Sequence, residues 1–350
     1  MLKPAQGAAT TNNNKYLRFW WEVSPDNISK DNKVDHKKWV GYSKGGPFTK
    51  WYGNVWLLVN WENDGYELKN SKAVLRNSDC YFQEGITYSA SGSRSMGVAY
   101  RVHPVNSLFD TGGSCVFPRI YTNVPYIMAF LNSKLSSYIS DCLNPTVNIQ
   151  VGDIQRVPFE IPTHKIEEIV CRHALQCIEI RKHICEFSII EQNYCKTPIS
   201  NNGSINSGIK EFYTYENGLN TIVLLNESVI NQEIFKLYEL SNHDRQMVID
   251  KEKEPVGNLS VSKEAKESFL NWIKSSKSYS ISEEVKAFIE KLPETSNGKA
   301  LDDLNSLYQN NNEFDKYCIR HEINPIEAWY QLMSQKFFLH NVLKFYHLNY

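Results

Sequence analysis

The sequence predicts an α+β protein, a mixed, β-rich N-terminal half followed by a mainly α-helical C-terminal region, and three observations carry that reading. Residues 1–162 are rich in Trp, Tyr, Gly and β-branched residues, set in short apolar runs between turn signals. From Lys165 the apolar spacing becomes that of a helix. Residues 197–210, Thr-Pro-Ile-Ser-Asn-Asn-Gly-Ser-Ile-Asn-Ser-Gly-Ile-Lys, are polar and aperiodic, the composition of a flexible linker. The expected organisation is a β-rich domain over 1–162, a helical connector over 163–196, the linker over 197–210 and a helical region over 211–350.

Within the first part, Val55-Trp56-Leu57-Leu58-Val59 and Ser114-Cys115-Val116-Phe117 read as strands. Tyr126, Ile127, Phe130, Leu131, Leu135, Tyr138, Ile139 and Cys142 recur at helical spacing, so one helix is expected, with Pro125 in its first turn and Asn144-Pro145 as its stop. A strand through Asn148-Ile149-Gln150-Val151 is expected to follow. Ile166, Ile169, Val170, His173, Cys177, Ile180 and Ile184 form the stripe of a long helix or hairpin, on which His173 reads as a core-edge residue rather than a ligand. Further helices are expected over roughly 227–241, 243–250, 263–275, 281–291, 299–309 and 312–338, punctuated by Pro255, Pro293 and Pro325.

With 41% hydrophobic and 13% aromatic residues the chain can build real cores, which argues against disorder. No apolar run of roughly eighteen residues and no signal-like N-terminus occurs, so a soluble, cytoplasmic protein without membrane association is expected. The eight cysteines form no Cys-x-x-Cys pair, which points to reduced core residues and away from zinc. The net charge of −1 is uneven: residues 1–162 hold 17 Lys and Arg against 13 Asp and Glu. Charge alone does not make a nucleic-acid binder of this chain.

Catalytic signatures are missing. There is no glycine-rich cofactor turn and no Asn/Asp-Pro-Pro-aromatic loop; Asn144-Pro145-Thr146-Val147 and Asp110-Thr111-Gly112-Gly113-Ser114 approach them only distantly. Lys44-Gly45-Gly46 lacks the spacing of a phosphate-binding loop, and Glu62, Asp64 and Glu67, the carboxylates a metal-dependent nuclease would need, sit in what reads as a surface turn. No catalytic, cofactor-binding or metal-binding residue is expected.

What stands out is residues 36–54, where Lys37, Lys38, Lys44 and Lys50 interleave with Trp39, Tyr42, Phe48, Trp51 and Tyr52, placing cations for phosphates beside flat rings for bases or sugars. The alternative is core aromatics with a solvated lysine face. A second candidate is the hydroxyl-rich stretch Gly85–Ser95, with Thr87, Ser89, Ser91 and Arg94; here the alternative is an ordinary surface loop.

Six strings, Gln6–Trp20, Lys44–Asn54, Val59–Gly65, Gly85–Ser89, Phe130–Lys134 and Leu143–Pro158, occur in one order. They resemble the C-terminal part of BREX-type (PglX-like) phage-defence adenine methyltransferases, from the junction after the catalytic domain through the target-recognition domain. The junction of that family usually reads Gln-Gly-x-x-Thr-Gly-x-Asn, so Thr11 stands where the family has glycine. Shorter strings, Glu233–Ser241 and Arg320–Tyr330, are similar to the family's helical tail.

The resemblance implies a DNA target-recognition domain with a helical tail, reading double-stranded DNA beside a separate methyltransferase chain or other proteins of a defence complex. Methylation by this polypeptide alone is not expected, because the family's S-adenosylmethionine pocket lies before the junction. The implied contacts are Lys38, Lys44 and Lys50 to the DNA backbone, Thr87, Ser89, Ser91 and Arg94 to bases or backbone, and Trp51 and Tyr52 as supports or stacking surfaces. A helix-turn-helix around Asn324-Pro325 is a further candidate. Competing readings are a protein-interaction adaptor that never touches DNA, and a carbohydrate-binding β module.

Overall fold

A computed structural model of the chain describes residues 2–91, 97–121, 123–197, 205–261 and 263–294. It has a mixed β-sheet N-terminal region and an α-helical C-terminal region, an α+β architecture. The elements run in the order β1 (Leu2–Ala5), α1 (Asn13–Tyr16), β2 (Leu17–Phe19), α2 (Asn32–Asp35), β3 (Trp39–Ser43), β4 (Leu57–Asn60), α3 (Glu62–Lys69), β5 (Gly85–Tyr88), β6 (Tyr100–His103), β7 (Ser107–Phe109) and β8 (Cys115–Pro118). Helices follow: α4 (Val124–Leu131), α5 (Lys134–Leu143), α6 (Val151–Arg156), α7 (His164–Cys185), α8 (Ile205–Leu237), α9 (Asn242–Glu252), α10 (Lys263–Ser275) and α11 (Glu283–Lys291).

The chain divides into two compact units. The first comprises Met1–Glu186, Glu191–Tyr194 and Ile230–Glu252; the second comprises Phe187–Ile190, Cys195–Val229 and the residues from Lys253 onward.

Two four-stranded sheets build the first unit, ordered β1-β8-β5-β6 and β2-β4-β3-β7. All pairings are antiparallel except β3 with β7. Ala5, Cys115 and Phe117 of one sheet and Val40, Val59, Leu108 and Phe109 of the other bury into a shared core with Trp61 and Tyr81. Each large side chain so buried contributes about 1.5–3 kcal/mol. Polar groups lie there too: Ser43, Thr87, Arg101 and His103 are all buried.

The expected single helix is two, α4 and α5. The apolar spacing runs on through Asn132-Ser133, but Asn132 turns its amide onto β6, accepting from the Tyr100 N–H and donating to the Tyr100 carbonyl, both at 2.9 Å. Ser133 then caps α5, its hydroxyl accepting from the Ser136 N–H at 3.2 Å. The strand expected through Asn148–Val151 is only one bridge, Ser91 with Asn148, and the chain enters α6 at Val151. There the Asp153 carboxylate accepts from the Gln150 N–H at 2.9 Å, which favours a helical turn over extension.

The long helix read from Lys165 is α7, and His173 is buried within it. Helix α8 begins at Ile205, inside the polar stretch over 197–210. In the second unit Gly218 of α8 lies against Trp272 of α10, so closely that a Cβ at 218 would come within 2.5 Å of the indole. No helix among the described residues is long and apolar enough to cross a membrane. The helices expected over 299–309 and 312–338, with Cys318 and the Asn324-Pro325 turn, lie outside the described residues.

Candidate nucleic-acid interface

Strand β3 leads into Lys44-Gly45-Gly46, where Gly45 (φ 82°) and Gly46 (φ 134°) adopt backbone conformations open to glycine. The turn is held against the loop after β7: the Asp110 N–H donates to the Ser43 carbonyl at 2.8 Å, and a Cβ on Gly113 would lie 2.5 Å from Gly45 N. The loop after β5 joins them, the Ala90 N–H donating to the Gly112 carbonyl at 3.0 Å and the Ser89 hydroxyl to the Gly46 carbonyl at 3.0 Å. Two more segments dock on this platform. Ile149 N–H donates to the Ala90 carbonyl at 2.8 Å and the Ser91 hydroxyl to Asn148 Oδ1 at 2.7 Å, while Asn13 Oδ1 accepts from Lys44 Nζ at 3.1 Å and from the Thr10 hydroxyl at 2.6 Å. Five loops thus meet at one end of the β architecture.

This cluster brings Lys44, Ser89 and Ser91 together. Lys44 is more tied down than a free phosphate ligand, because its ammonium also pairs with the largely buried Asp110 carboxylate at 2.7 Å. Two of its three donors are used, leaving one for a ligand. Thr87 lies beneath the cluster rather than on it: its hydroxyl is buried and donates to the carbonyls of Gly113 at 3.2 Å and Ser114 at 3.3 Å. Arg94 lies outside the described residues.

The other candidates lie elsewhere. Lys38, just before β3 and so at the far end of that strand from Lys44, pairs with Glu62 at 2.9 Å. Lys50 donates to the Asn132 carbonyl at 3.3 Å. Trp51 is 1% exposed, so it can act only as a support. Its N–H donates to the Tyr100 carbonyl at 2.9 Å and its carbonyl accepts from Val102 N–H at 3.0 Å, covering the outer edge of β6. Tyr52 is half-buried with Lys182 Nζ 6.0 Å from its ring, and burial pushes its hydroxyl pKa up.

Sequence reasoning missed three of the five loops, 10–14, 110–113 and 148–149. The signal available was small: Gly112-Gly113 could have been read as a close backbone approach instead of a failed cofactor turn. Glu62, Asp64 and Glu67 each pair with a separate lysine, Lys38, Lys69 and Lys15. Among the described residues no group of three or more His, Cys, Asp or Glu could hold a metal ion.

No family model matches the chain. It is 38% identical over 169 residues to the adenine-specific methyltransferase BrxX of Escherichia coli O9:H4 (strain HS), a match covering 48% of this chain and 13% of the relative. It is 33% identical over 171 residues to the adenine-specific methyltransferase PglX of Lacticaseibacillus casei (strain Zhang), covering 45% of this chain and 14% of the relative. These matches link about half of the chain to BrxX/PglX-like adenine methyltransferases, of whose length it spans only about one seventh. Among solved structures, the Type IIL restriction-modification enzyme MmeI in complex with DNA aligns at a TM-score of 0.46 and 11% identity, over 73% of this chain and 35% of that one.

Proposed function

We propose that the first unit is a sequence-reading module for duplex DNA, serving an adenine methyltransferase of a BREX-type phage-defence system. The observation that carries this reading is the 38% and 33% identity to two adenine-specific methyltransferases. The five-loop cluster supplies suitable chemistry: the hydroxyls of Ser89 and Ser91 and the exposed amide of Asn14 are offered to base edges in the major groove, where Asn suits adenine N6 and N7. The remaining donor of Lys44 faces phosphate, and Arg94 keeps its place as a base or backbone contact. Thr87 supports the loops from beneath, while Trp51 and Tyr52 support the sheet away from them. The target adenine would be flipped into a catalytic domain supplied by sequence outside these 350 residues, and S-adenosylmethionine would bind there.

The test is binding of the purified chain to duplex DNA across a salt series. Affinity that falls steeply as salt rises, with preference for one sequence over random competitor, is the expected result. An adaptor that binds protein alone is the second reading, favoured by the net charge of −1 and by Phe19, 42% exposed and stacked on Trp21 at 4.6 Å. Failure to bind duplex at low salt would select it.

A further inference from the structure

Three of the four lysines singled out by their spacing among aromatics are ones the fold occupies. Lys38 pairs with Glu62, Lys44 with Asp110, and Lys50 donates to the Asn132 carbonyl. The fourth, Lys37, belongs with Lys30 and Lys33 to a set left open in the loop over 29–38, which carries four lysines and only two aspartates. Among the described residues no ion pair reaches Lys30, Lys33 or Lys37; the first two are exposed and the third half-buried.

The loop is built to hold this arrangement. Ile28 bridges Trp39, and the Ser29 N–H donates to the Trp39 carbonyl at 2.8 Å, closing the base. Asn106 clamps it from the turn that leads into β7, donating to the Ser29 carbonyl at 2.8 Å and accepting from the Asn32 N–H at 2.8 Å. Both carboxylates are turned onto the loop's own backbone. Asp35 accepts from the Ser29 hydroxyl at 2.7 Å and from the N–H groups of Lys30 at 2.8 Å and Lys37 at 3.2 Å, and Asp31 caps α2 through the Lys33 N–H at 3.1 Å. His36 at φ 46° reverses the chain, and Val34, 75% exposed, marks the tip. The result is a braced platform whose two carboxylates are bonded to the loop's own backbone, with Lys30 and Lys33 exposed and Lys37 half-buried.

We infer that Lys30, Lys33 and Lys37 form a phosphate-backbone contact, the main electrostatic anchor on nucleic acid in the first unit. The inference rests on the DNA-reading proposal above and names the cations that would carry its salt dependence. Lysine ammonium groups held on a rigid loop act as point charges for phosphate, strengthening binding without reading sequence.

The experiment measures duplex affinity against salt for the unmodified chain, a Lys30→Ala/Lys33→Ala/Lys37→Ala variant, a Lys30→Arg/Lys33→Arg/Lys37→Arg variant and a Lys274→Ala/Lys277→Ala/Lys291→Ala control. The control makes the same change in net charge at exposed lysines of the second unit. Each lost phosphate contact lowers the slope of log K against log salt by about 0.9, so the first variant should bind on the order of tenfold or more weaker, with a slope shallower by about 2–3, equally on every sequence. The arginine variant and the control should keep the parent slope, and circular dichroism should report the same fold for all four. An unchanged slope in the first variant, with the parent binding, overturns this inference alone. No binding by the parent at low salt overturns it together with the DNA-reading proposal.

Discussion

Thr11 departs from the resembled family at a position where the backbone explains the family's choice. Its φ of 57° lies in the left-handed region, which costs a β-branched residue roughly 1–2 kcal/mol and glycine almost nothing. The residue is exposed, so Thr11→Gly removes little packing. Part of the gain is offset by the greater freedom of glycine in the unfolded chain. Thr11→Gly should therefore stabilise the protein by about 0.5–1 kcal/mol, read as an increase in the urea midpoint at unchanged m-value. A decrease would mean that the threonine side chain holds the junction turn. The special character of residue 11 was legible in the sequence, through comparison with the Gln-Gly-x-x-Thr-Gly-x-Asn pattern. The opposite was true of Trp51 and Thr87, because an aromatic or hydroxyl side chain reads the same whether it points at solvent or at the back of a strand. Only the pairing of Trp51 with β6 and of Thr87 with the 113–114 carbonyls decides it.

At the scale of elements, apolar spacing found α7 and located α10 and α11 closely, since α7 and α11 each bury one stripe and α10 keeps Phe269, Leu270, Trp272 and Ile273 half-buried. It failed at α4 and α5 for a physical reason. The two helices keep nearly the same apolar phase, so the break leaves no trace in the spacing and is visible only in the polar pair Asn132-Ser133. Asn132 is 8% exposed and satisfies a backbone N–H and carbonyl of an edge strand, so Asn132→Ala leaves buried polar groups short of partners. The Tyr100 carbonyl keeps its bond from Trp51 N–H, whereas the Tyr100 N–H loses the side-chain acceptor on that edge. A loss of roughly 1–3 kcal/mol in unfolding free energy is expected. Hydrogen exchange should show faster opening at Tyr100 than at Ile86 in the middle of the same sheet. Equal effects at both positions would mean that the variant loosens the whole sheet and not its edge.

For the whole molecule, the sequence conveyed the succession of β-rich and helical regions, but not which charges would be left over after folding. Pairing Lys44 with Asp110 or Lys15 with Glu67 joins residues far apart in the chain, and no local spacing signals it. The same holds for His103, which an isolated reading of Tyr-Arg-Val-His would leave on a surface strand. It lies fully buried between the two sheets, Nδ1 2.9 Å from the Ser43 hydroxyl and the ring edge-on to Phe109 and Phe117. Burial lowers its pKa from 6.5 to about 4. A depressed pKa means that between these values the unfolded chain takes up a proton the folded protein refuses. Stability is therefore full above pH 6.5, falls as pH drops toward 4 and stops changing from this source below it, a loss of about 3 kcal/mol. Asp35, which burial pushes up but which hydrogen bonds from Ser29 and the backbone bring down to about 2, acts in the same direction at lower pH. Its contribution is present above pH 3.8 and is lost as pH falls toward 2. Replacing the ring by His103→Gln removes the titration, so subtracting the variant's urea-unfolding profile from the parent's isolates this one group. The difference should change by about 1.4 kcal/mol per pH unit within the window between pH 6.5 and 4 and be flat on either side. A parallel pair of profiles would mean that His103 titrates alike in both states, which the closed aromatic contact of the two sheets forbids while the native structure persists.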